Sequence, residues 1–181
     1  MRIPALILGV LSLLGAHAIA SATQTPEVRY DPAQYWGAFE RELLHAHNGA
    51  RADVGVTPLT WDPTLAAQAD DYARKLARGG RMVHSAPEER GNTGENLWTG
   101  TSGHYDAGQM MAMFIAERQY FRAGTFPDIA TNGNWASVGH YTQIIWPTTT
   151  RVGCALARGR VNDFLVCRYD PAGNMIGQPV G

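Results

Sequence analysis

The chain has 181 residues, 45% of them hydrophobic and 17% charged, which supports one domain with its own core and excludes an intrinsically disordered chain. Fifteen basic against 16 acidic residues give a formal charge of −1, so the chain carries no electrostatic footprint for nucleic acid and no polybasic membrane anchor. Twenty Gly and ten Pro without a period predict a loop-rich fold and exclude collagen and simple repeats.

The first segment reads as an export signal. Arg2 precedes an apolar run from Ala5 to Leu14, and Ala16, Ala18, Ala20 and Ala22 follow. This is the three-part layout of a secretory signal peptide over 1–22. The run is short for a membrane span of about 20 residues. Cleavage after Ala18, Ala20 or Ala22 fits, with Ala22 preferred. An uncleaved anchor is the alternative; lipidation is excluded, because no Cys follows the run. Removing 1–22 takes away only Arg2 and leaves 14 basic against 16 acidic residues. The expected mature protein is a secreted or periplasmic monomer with no integral membrane segment and no nucleic-acid partner.

Residues 23–34 read as a polar lead-in to a domain over 35–181. A first helix is expected from Asp31-Pro32, with Asp as N-cap and Pro in the first turn. Trp36, Phe39, Leu43, Leu44 and His47 follow at helical spacing, and the helix is expected to run to about Ala52. A second start is Asp62-Pro63. Leu65, Ala66, Ala69, Tyr72, Ala73 and Leu76 make its apolar face, and Gly79-Gly80 its stop. Residues 81–105, rich in Gly, His and Asn, read as a long irregular stretch of the kind that often carries function. A third helix is expected from Asp106 to Phe121, with Met110, Met113, Phe114 and Tyr120 as core contacts, its methionines filling gaps. A loop over 122–138 follows.

The last third changes period. Tyr141, Gln143 and Ile145 alternate with Thr142, Ile144 and Trp146, which predicts a strand opened by His140. Val152, Cys154 and Leu156 share one face of the next run, and Phe164 to Tyr169 make a third strand, with Arg158-Gly159-Arg160 turning between them. Helices first and strands later give an α+β class, with helices packed on a mostly antiparallel sheet. The two cysteines, Cys154 and Cys167, fall on the two arms of this hairpin. In an exported chain an even count points to a disulfide, with a pair of buried free thiols as the alternative.

Familiar catalytic routes are mostly closed. No histidine falls in an H-E-x-x-H zinc site, Ser102 lacks the G-x-S-x-G spacing, and no P-loop or dinucleotide glycine pattern occurs. Four residues remain of interest: His84 and Glu95 in the central stretch, Glu117 on the third helix and His140. Brought together by the fold, two imidazoles and a carboxylate suit zinc with an open position. The plainer reading is a set of solvated loop and helix residues.

Four segments change that weighting. Gly139-His140-Tyr141-Thr142-Gln143-Ile144-Ile145-Trp146-Pro147-Thr148-Thr149 resembles the first signature of the CAP superfamily, which covers cysteine-rich secretory, antigen-5 and pathogenesis-related class 1 proteins. Phe164 to Met175 resembles the second. His47-Asn48-Gly49-Ala50-Arg51 is similar to the family's H-N-x-x-R motif, and Gly94-Glu95-Asn96-Leu97 to its G-E-N motif. The resemblance, in family order over about Tyr35 to Gly181, implies an α-β-α sandwich with a central sheet. It is closest to plant and bacterial single-domain members.

The resemblance also implies a cleft tetrad of His84, Glu95, Glu117 and His140, which in some members binds zinc or another divalent cation, chiefly through the two histidines. Cys154 and Cys167 match the family's hairpin disulfide. Phe114 stands where the family often has Trp, which keeps an aromatic wall and removes an indole N–H donor. Plant members carry six cysteines; this chain carries two. Asn48, Arg51 and Asn174 read as structural ties, and Asn96 as a brace for Glu95.

Three functions follow as expectations. The first is a secreted binding protein with a cation in the cleft and a lipid, sterol or peptide ligand beside it. The second is a metal-assisted hydrolase or peptidase, with Glu95 or Glu117 as general base. The third is an extracellular interaction protein whose tetrad is only a buried polar network.

Overall fold

The computed structural model describes residues 37–181. The signal segment, the lead-in, the helix start at Asp31-Pro32 and Trp36 lie outside the described residues. Helix α1 spans Ala38–Ala52 and ends where its periodicity ends. Helix α2 spans Pro63–Gly79. The Asp62 carboxylate caps it by accepting from the N–H groups of Thr64 (2.8 Å) and Leu65 (3.1 Å), and Gly80, in the left-handed region at φ 65°, closes it.

The stretch expected to be irregular holds two elements. A one-turn helix, α3, covers Pro87–Arg90. Strand β2 covers Gly94–Thr101, so Glu95 sits on a strand and not in a loop. Gly94, Asn96 and Gly100 disguise it; pairing with a distant strand makes it. The third helix is shorter than expected. Helix α4 spans Ala107–Ala116, under an Asp106–Gln109 capping box, and a 3-10 turn carries on from Glu117 to Tyr120. Met110 and Phe114 are buried as expected, whereas Met113 and Tyr120 are exposed.

The largest correction concerns His140. The alternating stretch predicted as a strand is a six-residue helix, α5, Gly139–Ile144. Strands β4 (Arg151–Arg158) and β5 (Asn162–Asp170) form the predicted hairpin, and Cys154 and Cys167 are bonded directly across it. The short β1 (Thr60–Trp61) adds in parallel to β4. The sheet order is β1-β4-β5-β2, antiparallel but for that edge, and a separate two-stranded pair joins β3 (Gly124–Thr125) to β6 (Pro179–Val180).

The sheet is covered on both faces, which is why β5 is buried along nearly its whole length. Its side chains alternate between layers. Phe164 and Val166 pack with Ala69, Tyr72, Ala73 and Leu76 of α2. Leu165, Cys167 and Tyr169 pack on the other face with Leu43, Met110, Phe114 and Ile144, from α1, α4 and α5. The result is a three-layer α-β-α sandwich of the α+β class. Strand β2 is the edge opposite β1, and the candidate site sits there.

Candidate functional site in a cleft at the sheet edge

The four predicted residues form two pairs. His84 Nδ1 lies 2.6 Å from Glu95 Oε1, and His140 Nδ1 lies 2.6 Å from Glu117 Oε1. His84, Glu95 and His140 line one cavity of about 590 Å³. Glu117 stands behind His140, outside the lining. In both pairs the carboxylate accepts from Nδ1, so each ring leaves Nε2 without a protein partner among the described residues. This is the arrangement by which outer carboxylates orient histidine ligands.

Each pair is built by a different layer. Glu95 faces Arg168 directly across the β2–β5 ladder, on the α2 side of the sheet. Its Oε2 accepts from Ser85 Oγ (2.8 Å) and pairs with Arg168 Nη1 (3.0 Å), while its Oε1 also accepts from the Ser85 backbone N–H (3.0 Å). Burial of the carboxyl raises its pKa, but the donors from His84 and Ser85 and the Arg168 charge outweigh that, and the group titrates below its ordinary value. Ser85 and Arg168 thus join the site beyond the four residues expected. Arg168 was readable in principle: an arginine inside an apolar strand needs a buried counter-charge.

Glu117 explains the helix that replaced the predicted strand. Helix α5 has no side-chain cap of its own. The Glu117 Oε2 supplies one from afar, accepting from the N–H groups of His140 (2.9 Å) and Tyr141 (3.1 Å). At the other end, the buried Arg51 donates to the carbonyls of Ile144 (2.8 Å), Trp146 (2.9 Å) and Thr149 (2.9 Å). An anion at the first turn and a cation past the last complement the helix dipole. The Phe114 ring stacks on the His140 imidazole, 4.7 Å between centroids and 24° between planes, so the phenyl supplies the aromatic wall.

The remaining motif residues are structural. Asn48 exchanges two bonds with the backbone of Leu59. Asn96 donates to the His140 carbonyl (3.0 Å) and the Tyr169 hydroxyl (3.1 Å), and so braces the His140 side of the cleft and not Glu95. Asn174 bridges the Gly139 carbonyl and the Thr142 hydroxyl. Gly94 makes room for Gln143: a Cβ there would fall 2.1 Å from its Oε1. Gln143 in turn accepts from the Gly173 N–H, so a single amide packs on Gly94 of β2 and ties α5 to the segment after β5.

The model for the cysteine-rich secretory protein (CAP) family matches residues 44–169. The chain belongs to the CAP family. Among relatives of this CAP protein, pathogenesis-related protein 1C of Nicotiana tabacum is 42% identical over 140 residues, covering 77% of this chain and 79% of the relative. Pathogenesis-related protein PRMS of Zea mays is 34% identical over 175 residues, 94% of each chain. Among solved structures, the CAP-fold protein NaASP2, determined with Zn2+, superposes with a TM-score of 0.67 at 24% identity, covering 77% of this chain and 82% of that one. That likeness is one of fold.

As a metal site, the CAP cleft has a defined limit. Among the described residues, the one trio of His, Cys, Asp or Glu ligand atoms within 4.8 Å of one another is His47, Cys154 and Cys167, and both its sulfurs are in the disulfide. The tetrad supplies two outward nitrogens and no preassembled third ligand. The donor set therefore fits a borderline cation held by two imidazoles, with remaining positions open to water or ligand.

Proposed function

We propose that this CAP protein is a secreted binding protein whose cleft holds a divalent cation, zinc by donor chemistry, between His84 and His140. The observation that carries this reading is the paired geometry: both Nδ1 atoms are occupied by carboxylates and both Nε2 atoms are left unpartnered among the described residues. The cation would supply a positive centre for an oxygen-bearing ligand. The chain's own part is to fix the tautomer of each ring and to hold both at the sheet edge. Secretion is supported by the signal-like first segment and by the plant pathogenesis-related relatives; periplasmic retention draws no support from them.

The second ligand we propose is apolar: a lipid, sterol or peptide. A neighbouring groove of about 620 Å³, lined by Trp146, Pro147, Pro171 and Pro179 among others, shares Met175 and Ile176 with the cleft. Exposed Met82, Val83, Trp135, Met175 and Ile176 belong to the cleft lining or to the residues just before His84. Apolar side chains around a polar centre suit a ligand with one polar end.

The hydrolase reading is weaker on geometry. Each oxygen of Glu95 already has two donors, and Glu117 lies outside the cavity lining, so neither carboxylate is placed to take a proton from water in the cleft without breaking a tie. Calorimetric titration with zinc separates the readings. We expect binding by the wild type and its loss in His84→Ala/His140→Ala, with lipid, sterol and peptide panels run on both. Peptidase turnover abolished by Glu95→Gln with zinc retained would favour the hydrolase. A wild type indifferent to zinc and to every panel would leave a structural tetrad.

A further inference from the structure

Behind Glu95, away from the cleft, a cavity of about 360 Å³ lies between α2, α3 and β5. Four cationic side chains line it, Lys75, Arg78, Arg90 and Arg168, against two acidic ones, Asp71 and Glu89. The cavity shares only Arg90 with the cleft. Tyr72 completes a wall, its ring 5.2 Å beneath the Arg168 guanidinium carbon.

Arg168 is the decisive residue. Its side chain is 3% exposed. Its two polar contacts, to Ser85 Oγ (2.9 Å) and Glu95 Oε2 (3.0 Å), leave from one nitrogen, Nη1. Its Nε is the single buried side-chain polar atom without a hydrogen-bond partner among the described residues. An orphaned buried donor is costly, and pairing with Glu95 does not account for it. Of the other cations, Lys75 pairs with Glu89 and Arg90 donates to the Ser85 carbonyl, while Arg78 has no hydrogen-bond or ion-pair partner among the described residues. A guanidinium that commits only Nη1 to protein partners keeps donors suited to an acceptor bearing several oxygens.

We propose that this cavity is a second binding site, taking a phosphate or sulfate group against Arg168, Arg78, Arg90 and Lys75. The volume suits a small oxyanion, free or at the end of a larger molecule. Three or four oxygens can be shared among the surrounding donors, which a carboxylate with two cannot match. Lys75 is engaged with Glu89, so Glu89 competes with the ligand for that ammonium group.

The test uses full-length protein stripped of metal with EDTA, so its outcome is independent of the cation site. Sodium phosphate and sodium sulfate are titrated calorimetrically, with sodium chloride at matched ionic strength as the control. Saturable one-to-one binding is expected for phosphate or sulfate and not for chloride. Arg78→Ala, an exposed change, should weaken binding about fivefold, and Glu89→Gln should tighten it by freeing Lys75. Heats that match chloride would overturn the proposal. So would wild-type affinity in an Arg78→Ala/Lys75→Ala variant that keeps its circular dichroism spectrum.

Discussion

His47 illustrates how a motif residue can be essential without touching a ligand. It is wholly buried. The Leu43 carbonyl, 2.7 Å from Nδ1, can only accept, so Nδ1 carries the proton and Nε2 accepts from the Tyr169 hydroxyl at 2.8 Å. Burial, with the nearby Arg51 charge adding to it and the Leu43 carbonyl opposing it, lowers the His47 pKa from 6.5 to about 4. Between those two values the unfolded chain binds the proton and the folded one does not. The stability from burying a neutral ring is therefore full above pH 6.5 and lost as pH falls toward 4. We expect the protein to be less stable by about 2 kcal/mol at pH 4.5 than at pH 7, as read by urea denaturation, and His47→Gln to flatten that dependence. Glu95, whose pKa is depressed, keeps its contribution across this window and loses it only at lower pH, so a loss between pH 4.5 and 6.5 is assigned to His47.

Helix α5 is the element on which the cleft turns, and neither of its ends is stabilised by its own sequence. A six-residue helix is marginal alone; this one is held by Glu117 at one end and Arg51 at the other. Replacing Arg51 with Lys keeps the charge and removes the fork that spans the carbonyls of Thr57, Ile144, Trp146 and Thr149. We expect Arg51→Lys to cost about 3 kcal/mol in chemical denaturation. It should also weaken zinc binding, because His140 rides on this helix.

The same contrast explains what could be read in advance. Helix α2 was legible because its caps, Asp62 and Gly80, are local. The β4–β5 hairpin was legible because its alternation and its cysteines agree. Strand β2 was not, because Gly94, Asn96 and Gly100 owe their extended form to pairing with β5. Helix α5 departs from its alternation because Glu117 and Arg51 override it from 23 and 93 positions away. The tetrad was named through family resemblance; its division into two pairs, and the support from Ser85 and Arg168, depend on the third dimension.

For the molecule as a whole, the Cys154–Cys167 bond joins the two central strands of the sheet. It closes a short loop, 13 positions apart, and in the chain-entropy model a loop of this size is worth about 3 kcal/mol. Reduction, or a Cys154→Ala/Cys167→Ala variant, should lower the denaturation midpoint accordingly while leaving the native circular dichroism spectrum in place. A loss of native structure without denaturant would instead mean that the three layers cannot hold without the bridge. Close packing elsewhere argues that they can. At Gly153, beside the bridge, a Cβ would fall 2.2 Å from the Ala66 backbone nitrogen, so α2 rests directly on the strand with no side chain between.

The division of the tetrad between layers sets how the cleft is spaced. Glu95 and Arg168 hold His84 from the α2 side, and Glu117 and Phe114 hold His140 from the other. The placement of the two rings is thus fixed by groups from both layers at the sheet edge. Any substitution that swells or thins either slab, however far from the histidines, resets that placement, and an ion gripped between the rings would act as a rivet through the stack.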